Sequence, residues 1–119
     1  MKLSDFELAV QCGIVHEEQY KDFIKNSASY RWMNGNECVA SVTIEEWKNG
    51  WTCCYDLMVS KEYQGKGLGN QLVKFIVEKG VNHLSVDIGN DIAIHLYKKY
   101  GFFFSGGWEG CLARMERLY

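Results

Sequence analysis

The chain has 119 residues, of which 47% are hydrophobic and 24% charged, with a net charge of −2. That length reads as one domain, residues 1–119, large enough to bury a core without disulfides or a metal. The hydrophobicity excludes a disordered chain, and the slight acidic excess argues against a nucleic-acid partner. No apolar run approaches the roughly 18 residues of a membrane span, and the N-terminus has no signal-peptide core.

Five cysteines are present, Cys12, Cys38, Cys53, Cys54 and Cys111. An odd number cannot pair fully within one chain, and the spacings match neither a zinc template nor C-x-x-C. Reduced thiols in a cytoplasmic protein with no metal are expected. Charge is uneven along the chain: residues 1–50 carry a net −3 and residues 51–119 a net +1.

Proline is absent, so glycine and asparagine mark the breaks. Ser4-Asp5-Phe6-Glu7 has the spacing of a capping box and predicts a short helix over 4–12, ended by Gly13. Tyr20, Phe23 and Ile24 fall at helical spacing and predict a second helix over 16–26. Three strands follow, over 29–33, 37–47 and 51–59. They are joined at Asn34-Gly35 and Asn49-Gly50, dipeptides suited to type I′ hairpin turns. In the third strand Cys53 and Cys54 must point to opposite faces. Glu45 and Glu46 end the neighbouring strand beside a turn and read as solvated. Residues 60–67 form a polar loop and 68–79 a helix with Leu68, Leu72, Phe75 and Ile76 on one stripe. A strand over 83–88, a helix over 91–100 and strands over 102–104 and 111–118 complete the chain. The order α-α-β-β-β-α-β-α-β-β makes an α+β protein: a mixed, mainly antiparallel sheet with helices on both faces.

The loop before the 68–79 helix carries the chemistry. It reads Gln64-Gly65-Lys66-Gly67-Leu68-Gly69-Asn70. Glycines allow positive φ and close backbone approach, and a helix N-terminus adds about half a positive charge. Lys61 and Lys66 reinforce that sign, so the segment is an anion cradle. It is not a P-loop, because G-x-x-x-x-G-K-[ST] is absent. It also fails the dinucleotide fingerprint: the third glycine falls one residue early, and the preceding strand comes from a hairpin.

The loop resembles the cofactor motif of the GNAT superfamily of acetyl-CoA-dependent N-acetyltransferases, Gln/Arg-x-x-Gly-x-Gly/Ala. A second stretch matches that family at every fixed position: Asn90-Asp91-Ile92-Ala93-Ile94-His95-Leu96-Tyr97-Lys98-Lys99-Tyr100-Gly101-Phe102. The resemblance implies a three-layer α/β/α GNAT fold. The chain departs from the pattern in two places. The initial strand is missing or vestigial, since only three residues precede Ser4, and Lys61 stands where the loop often has proline.

The resemblance further implies a division of labour. Backbone N–H groups of Gln64, Gly65, Lys66, Gly67, Leu68, Gly69 and Asn70 would hold the diphosphate of acetyl-CoA. Its pantetheine arm would lie along Leu57, Met58 and Val59 like an added strand, with Asn90 bonding its amide. A backbone N–H near Val59 would face the thioester oxygen. Tyr97 would contact the cofactor and protonate the leaving thiolate. The general base is open: Asp56 is the named candidate, and His83, His95 and a water chain are alternatives.

The expected function is transfer of an acetyl group from acetyl-CoA to a primary amine. The acidic first half weakly favours a cationic acceptor. The alternative is an acyl-CoA-binding module without turnover; a nucleotide-binding domain of another kind is disfavoured by the glycine spacing. Exposed sheet edges suit a homodimer.

Overall fold

The computed structural model describes residues 1–12 and 22–118, with the backbone alone at Cys12 and Trp108. Seven strands form one sheet: β1 Glu7–Cys12, β2 Ile24–Asn34, β3 Glu37–Trp47, β4 Thr52–Val59, β5 His83–Asp87, β6 Phe103–Glu109 and β7 Leu112–Glu116. The spatial order is β1-β2-β3-β4-β5-β7-β6. Every neighbouring pair is antiparallel except β4 and β5, which run parallel. Two helices, α1 Leu68–Glu78 and α2 Asp91–Lys99, flank β5 in the chain. The expected mixed, mainly antiparallel sheet is thus present.

The two hairpins form where Asn-Gly predicts them. Gly35 and Gly50 have φ of 63° and 95°, but Asn34, Asn36 and Asn49 do not have positive φ, so neither turn is the expected type I′: a single left-handed glycine turns each hairpin.

The N-terminus differs from expectation. A 3-10 turn, Leu3–Asp5, replaces the start of the helix over 4–12, and the Lys2 N–H bonds the Asp5 carboxylate at 2.9 Å. The expected Ser4–Glu7 capping box does not form: Ser4 lies inside the turn, which Lys2 and Asp5 cap instead, and Glu7 opens β1. Residues 7–12 are then recruited as an edge strand, in register with β2 from Glu7↔Met33 to Cys12↔Ala28. Leu8 and Val10 alternate with Ala9 and Gln11, a period of two that the ladder uses. The initial strand is therefore neither missing nor vestigial. Of the helix over 16–26, residues 16–21 lie outside the described residues; Ile24 opens β2, while Phe23 is exposed.

One face of the sheet and both helices share a single core. Val42 of β3, Cys54 of β4, Leu84 and Val86 of β5 and Met115 of β7 pack with Leu72, Val73 and Ile76 of α1 and with Tyr97 of α2. The helices touch each other: a Cβ on Gly69 would meet Leu96 Cδ1 at 3.6 Å. Both described helices thus lie on one face. The other face carries a row of directly opposed residues across six strands: Ser27, Glu45, Cys53, His83, Glu116 and Phe103. Glu45, expected to be solvated, is only 4% exposed in this row.

Candidate active site

The site begins where the sheet opens. β4 and β5 share one rung, Cys53↔His83, supported by the bond from the Asn82 N–H to the Thr52 carbonyl at 2.9 Å. Beyond it no further β4–β5 pair forms among the described residues. On the β3 side the register jumps from Thr43↔Tyr55 to Ser41↔Met58. One extra residue therefore sits on β4, and Asp56 adopts φ of 54°. A bulge bends and twists a strand, so β4 leaves β5 at this point. Its backbone groups facing β5 past Tyr55 lack a strand partner.

The glycine loop closes one end of the opening. Gln64 Nε2 donates to the Val59 carbonyl at 3.0 Å and ties the loop to the end of β4. Gly65 and Gly67 have φ of 76° and 85°. Gly67 is the N-cap of α1, and no side chain caps that end. The first bond within the helix runs from the Gln71 N–H to the Gly67 carbonyl at 3.2 Å. The N–H groups of Leu68, Gly69 and Asn70 therefore project from the positive end of α1 without helical partners.

Between these elements lies a cavity of about 470 Å³, lined by Leu57, Met58, Val59, Gln64, Gly65, Gly69, Val73, Asn90, Ile92, Ala93, Leu96 and Tyr97. A second space of about 350 Å³ adjoins it, sharing Leu57, Asn90, Ala93 and Tyr97 and adding Asp56, Asp87 and Ser85. Eight of the residues anticipated for cofactor contact line the first cavity, and the two anticipated catalytic residues, Tyr97 and Asp56, meet in the second.

Tyr97 is 6% exposed, and its ring stacks edge-on against Phe102 with centroids 5.8 Å apart. Burial, with a smaller contribution from Cys54, raises its pKa well above the usual phenol value. Desolvation disfavours the phenolate, so the hydroxyl stays a proton-bearing donor.

Four anticipated residues stand apart from the cavity linings. Leu68 is fully buried in the core, so only its backbone is available. Asn70 Oδ1 accepts from Lys99 Nζ and from the Tyr100 hydroxyl, both at 3.1 Å, and binds α1 to α2. Lys66 places Nζ 5.9 Å from the centroid of the Tyr63 ring. Gly67 shapes the turn. Asn90 has a role the sequence reading missed: its Oδ1 accepts from the Ala93 N–H at 3.1 Å and caps α2. Asn followed by Asp-Ile-Ala is an N-cap signal, so this was legible.

On the other face of the sheet a smaller pocket, about 120 Å³, adjoins the second space through Cys54, Tyr55 and Ser85. His83 is fixed there, with Nε2 2.8 Å from Glu116 Oε1 and Nδ1 2.6 Å from Asn82 Oδ1. The Trp51 ring stacks on it at 4.1 Å. Both ring nitrogens of His83 are thus held by the frame. His95 lines none of the three spaces. Among the described residues no cluster of three His, Cys, Asp or Glu could hold a metal, and no helix is long and apolar enough to cross a membrane.

A mixed sheet whose parallel pair parts beside a glycine-capped helix defines an α+β protein with a ligand cleft built into the sheet. More particularly, the model of the Acetyltransferase (GNAT) family matches residues 4–102, and the chain belongs to that family. It is 37% identical over 59 residues to the spermidine N(1)-acetyltransferase of Escherichia coli K12, covering 44% of this chain and 32% of that enzyme. It is 35% identical over 69 residues to a probable spermine N(1)-acetyltransferase of Bacillus subtilis subsp. natto, covering 52% of this chain and 45% of that protein. The matches thus span less than half the length of these curated relatives. In fold the chain is similar to a GNAT family acetyltransferase from Elizabethkingia anophelis solved with acetyl-CoA bound (TM-score 0.65, 16% identity, 92% of this chain and 97% of that one). It is also similar to an acyl-CoA N-acyltransferase from Pseudomonas aeruginosa (TM-score 0.68, 14% identity, 93% and 99%).

Proposed function

We propose that this chain is an N-acetyltransferase that takes its acetyl group from acetyl-CoA and delivers it to a primary amine. The observation that carries the reading is the opening between β4 and β5. There an unpaired strand edge, a helix N-terminus with free N–H groups, a buried phenol and a carboxylate border connected spaces. The residues fit such a donor. The αL glycines Gly65 and Gly67 leave open space where a Cβ would stand, and the loop N–H groups suit a diphosphate. β4 past Tyr55 has no strand partner on its β5 side, which leaves backbone groups near Leu57 and Met58 for an extended amide chain.

When bound, acetyl-CoA would supply a thioester whose C–S bond breaks as the acceptor nitrogen forms the new C–N bond, giving the N-acetylated amine and the free thiol of coenzyme A. The chain's own groups do the rest. Asp56 draws the acceptor ammonium into the second space and takes its proton, directly or through water. Tyr97, held neutral by burial, donates to the sulfur as it leaves and is reprotonated by the second proton that the acylated nitrogen sheds, passed through water. Asn90, rigid because it caps α2, turns its amide N–H groups to the pantetheine. The curated relatives are named for spermidine and spermine, which puts polyamines among the acceptors to test.

The test is thiol release. The purified chain is given acetyl-CoA with spermidine, spermine, simple diamines, amino acids and lysine peptides, and free coenzyme A is counted by chromatography. Release that depends on an amine, with the acetylated amine as product, is the expected outcome. Tight binding of coenzyme A without release from any acceptor overturns it and leaves the binding-module reading.

A further inference from the structure

The charges around the second and third spaces differ in sign. Asp56 and Asp87 border the 350 Å³ space beside Tyr97. Arg114 borders the 120 Å³ pocket next to it. The two spaces share Tyr55 and Ser85, and Ser85 is the direct strand partner of Arg114. Asp87 of β5 and Arg114 of β7 therefore lie on adjacent strands, and Asp56 stands on β4 across β5 from Arg114.

Two carboxylates on this face are engaged. Glu116 is bonded to His83 at 2.8 Å. Glu45 accepts a hydrogen bond from the Tyr55 hydroxyl. Arg114 is different: it is exposed, and no carboxylate among the described residues pairs with its guanidinium. Its carbon Cζ stands 5.2 Å from the Trp51 ring centroid. Its side chain runs along Gly107, where a Cβ would meet it at 3.7 Å. Stacking on Trp51 and the bare backbone of β6 orient the fork and leave its N–H groups for a ligand.

We infer that the acceptor is a zwitterion, an amine that also bears a carboxylate, with its nitrogen beside Asp56 and Tyr97 and its carboxylate on Arg114. This rests on the acetyltransferase reading and narrows its acceptor. A polyamine would bring a second ammonium to the guanidinium, and like charges repel. An aminocarboxylate satisfies both ends, because a planar guanidinium takes a carboxylate through two parallel hydrogen bonds.

The test compares matched acceptors on the purified chain: amino acids, the amines left by removing their carboxyl groups, and spermidine. The kcat/KM ratio of each amino acid to its carboxyl-free amine is expected to be about tenfold or more, the equivalent of one charged contact. Arg114→Gln is expected to collapse that ratio, Arg114→Lys to keep part of it, and added salt to lower it. Thermal stabilisation of each variant by coenzyme A reports that it is folded. Turnover in which spermidine outruns every aminocarboxylate, or a ratio unmoved by Arg114→Gln, overturns the zwitterion while the transferase stands. Coenzyme A binding with no thiol release from any acceptor overturns both.

Discussion

Tyr97 and the two central cysteines show how much a residue's neighbours decide. Tyr97→Phe keeps the ring, its packing on Phe102 and the buried volume, while removing the only proton-bearing atom. Stability is expected to change by less than about 1 kcal/mol, and kcat for acetyl transfer to fall about 10²-fold or more. Steady-state rates beside a thermal melt separate the two effects. Burial pushes the Cys53 thiol up to about 11 and the Cys54 thiol up to about 12, from 9.0. Neither is a thiolate at neutral pH, whereas Cys38 and Cys111 are exposed. Timed alkylation followed by peptide mapping should therefore label Cys38 and Cys111 in the native protein and spare the central pair. The same shifts set an alkaline limit. The unfolded thiols ionise near 9.0 and the folded ones only near 11 and 12, so the folded state binds these protons more tightly. Their stabilisation is complete below pH 9 and is lost as pH rises through 9 to 12. Melting temperature against pH should fall across that window, and replacing Cys54 by alanine or valine should reduce the slope.

At the scale of elements, the bulge in β4 and the cap of α1 place the site. Asp56 holds φ of 54°, a left-handed conformation that glycine adopts without penalty and alanine resists by roughly 1–2 kcal/mol. Asp56→Gly should be at least as stable as the parent, and Asp56→Ala less so, in urea titrations. Both should lose acetyl transfer. An activity that drops while stability holds marks a carboxylate kept for chemistry; equal activity in all three proteins would remove Asp56 from the mechanism. Gly67 has φ of 85° at the N-cap of α1, with no neighbour within 4 Å of a built Cβ. Gly67→Ala should therefore cost about 1–2 kcal/mol through backbone strain rather than a clash. Affinity for coenzyme A by calorimetry should fall with it, since the α1 N–H groups rotate with the turn.

For the whole molecule, ligand and sheet are coupled. β4 and β5 are joined by one rung, so the two halves of the sheet depend on the shared core of α1 and α2 for their relative position. A ligand that lies along β4 and reaches α1 and α2 supplies the missing bridge. Coenzyme A at a hundred times its Kd should stabilise the fold by about 2.7 kcal/mol, read as a rise in melting temperature that grows with concentration. NAD or ATP should give a smaller rise at the same concentration.

The sequence by itself determined the elements whose signals are local. Asn-Gly dipeptides set the β2–β3–β4 hairpins, because the glycine supplies the positive φ that each turn needs. The glycine loop and the Asn90–Phe102 motif marked residues that line the cleft, and the apolar stripes of α1 and α2 marked the helices beside it. Tertiary structure decided the rest. The capping box at Ser4 was overruled because residues 7–12 gain a full ladder on β2, and backbone pairing across an edge outweighs one capped turn. Glu45 lies two residues from Trp47 in a segment that looks solvated, yet the row across six strands buries it. The position of Arg114 beside Ser85, Tyr55 and Trp51 joins three distant stretches of chain. Nothing in the spacing of those residues announces that contact, because only the order β4-β5-β7 brings them to one face.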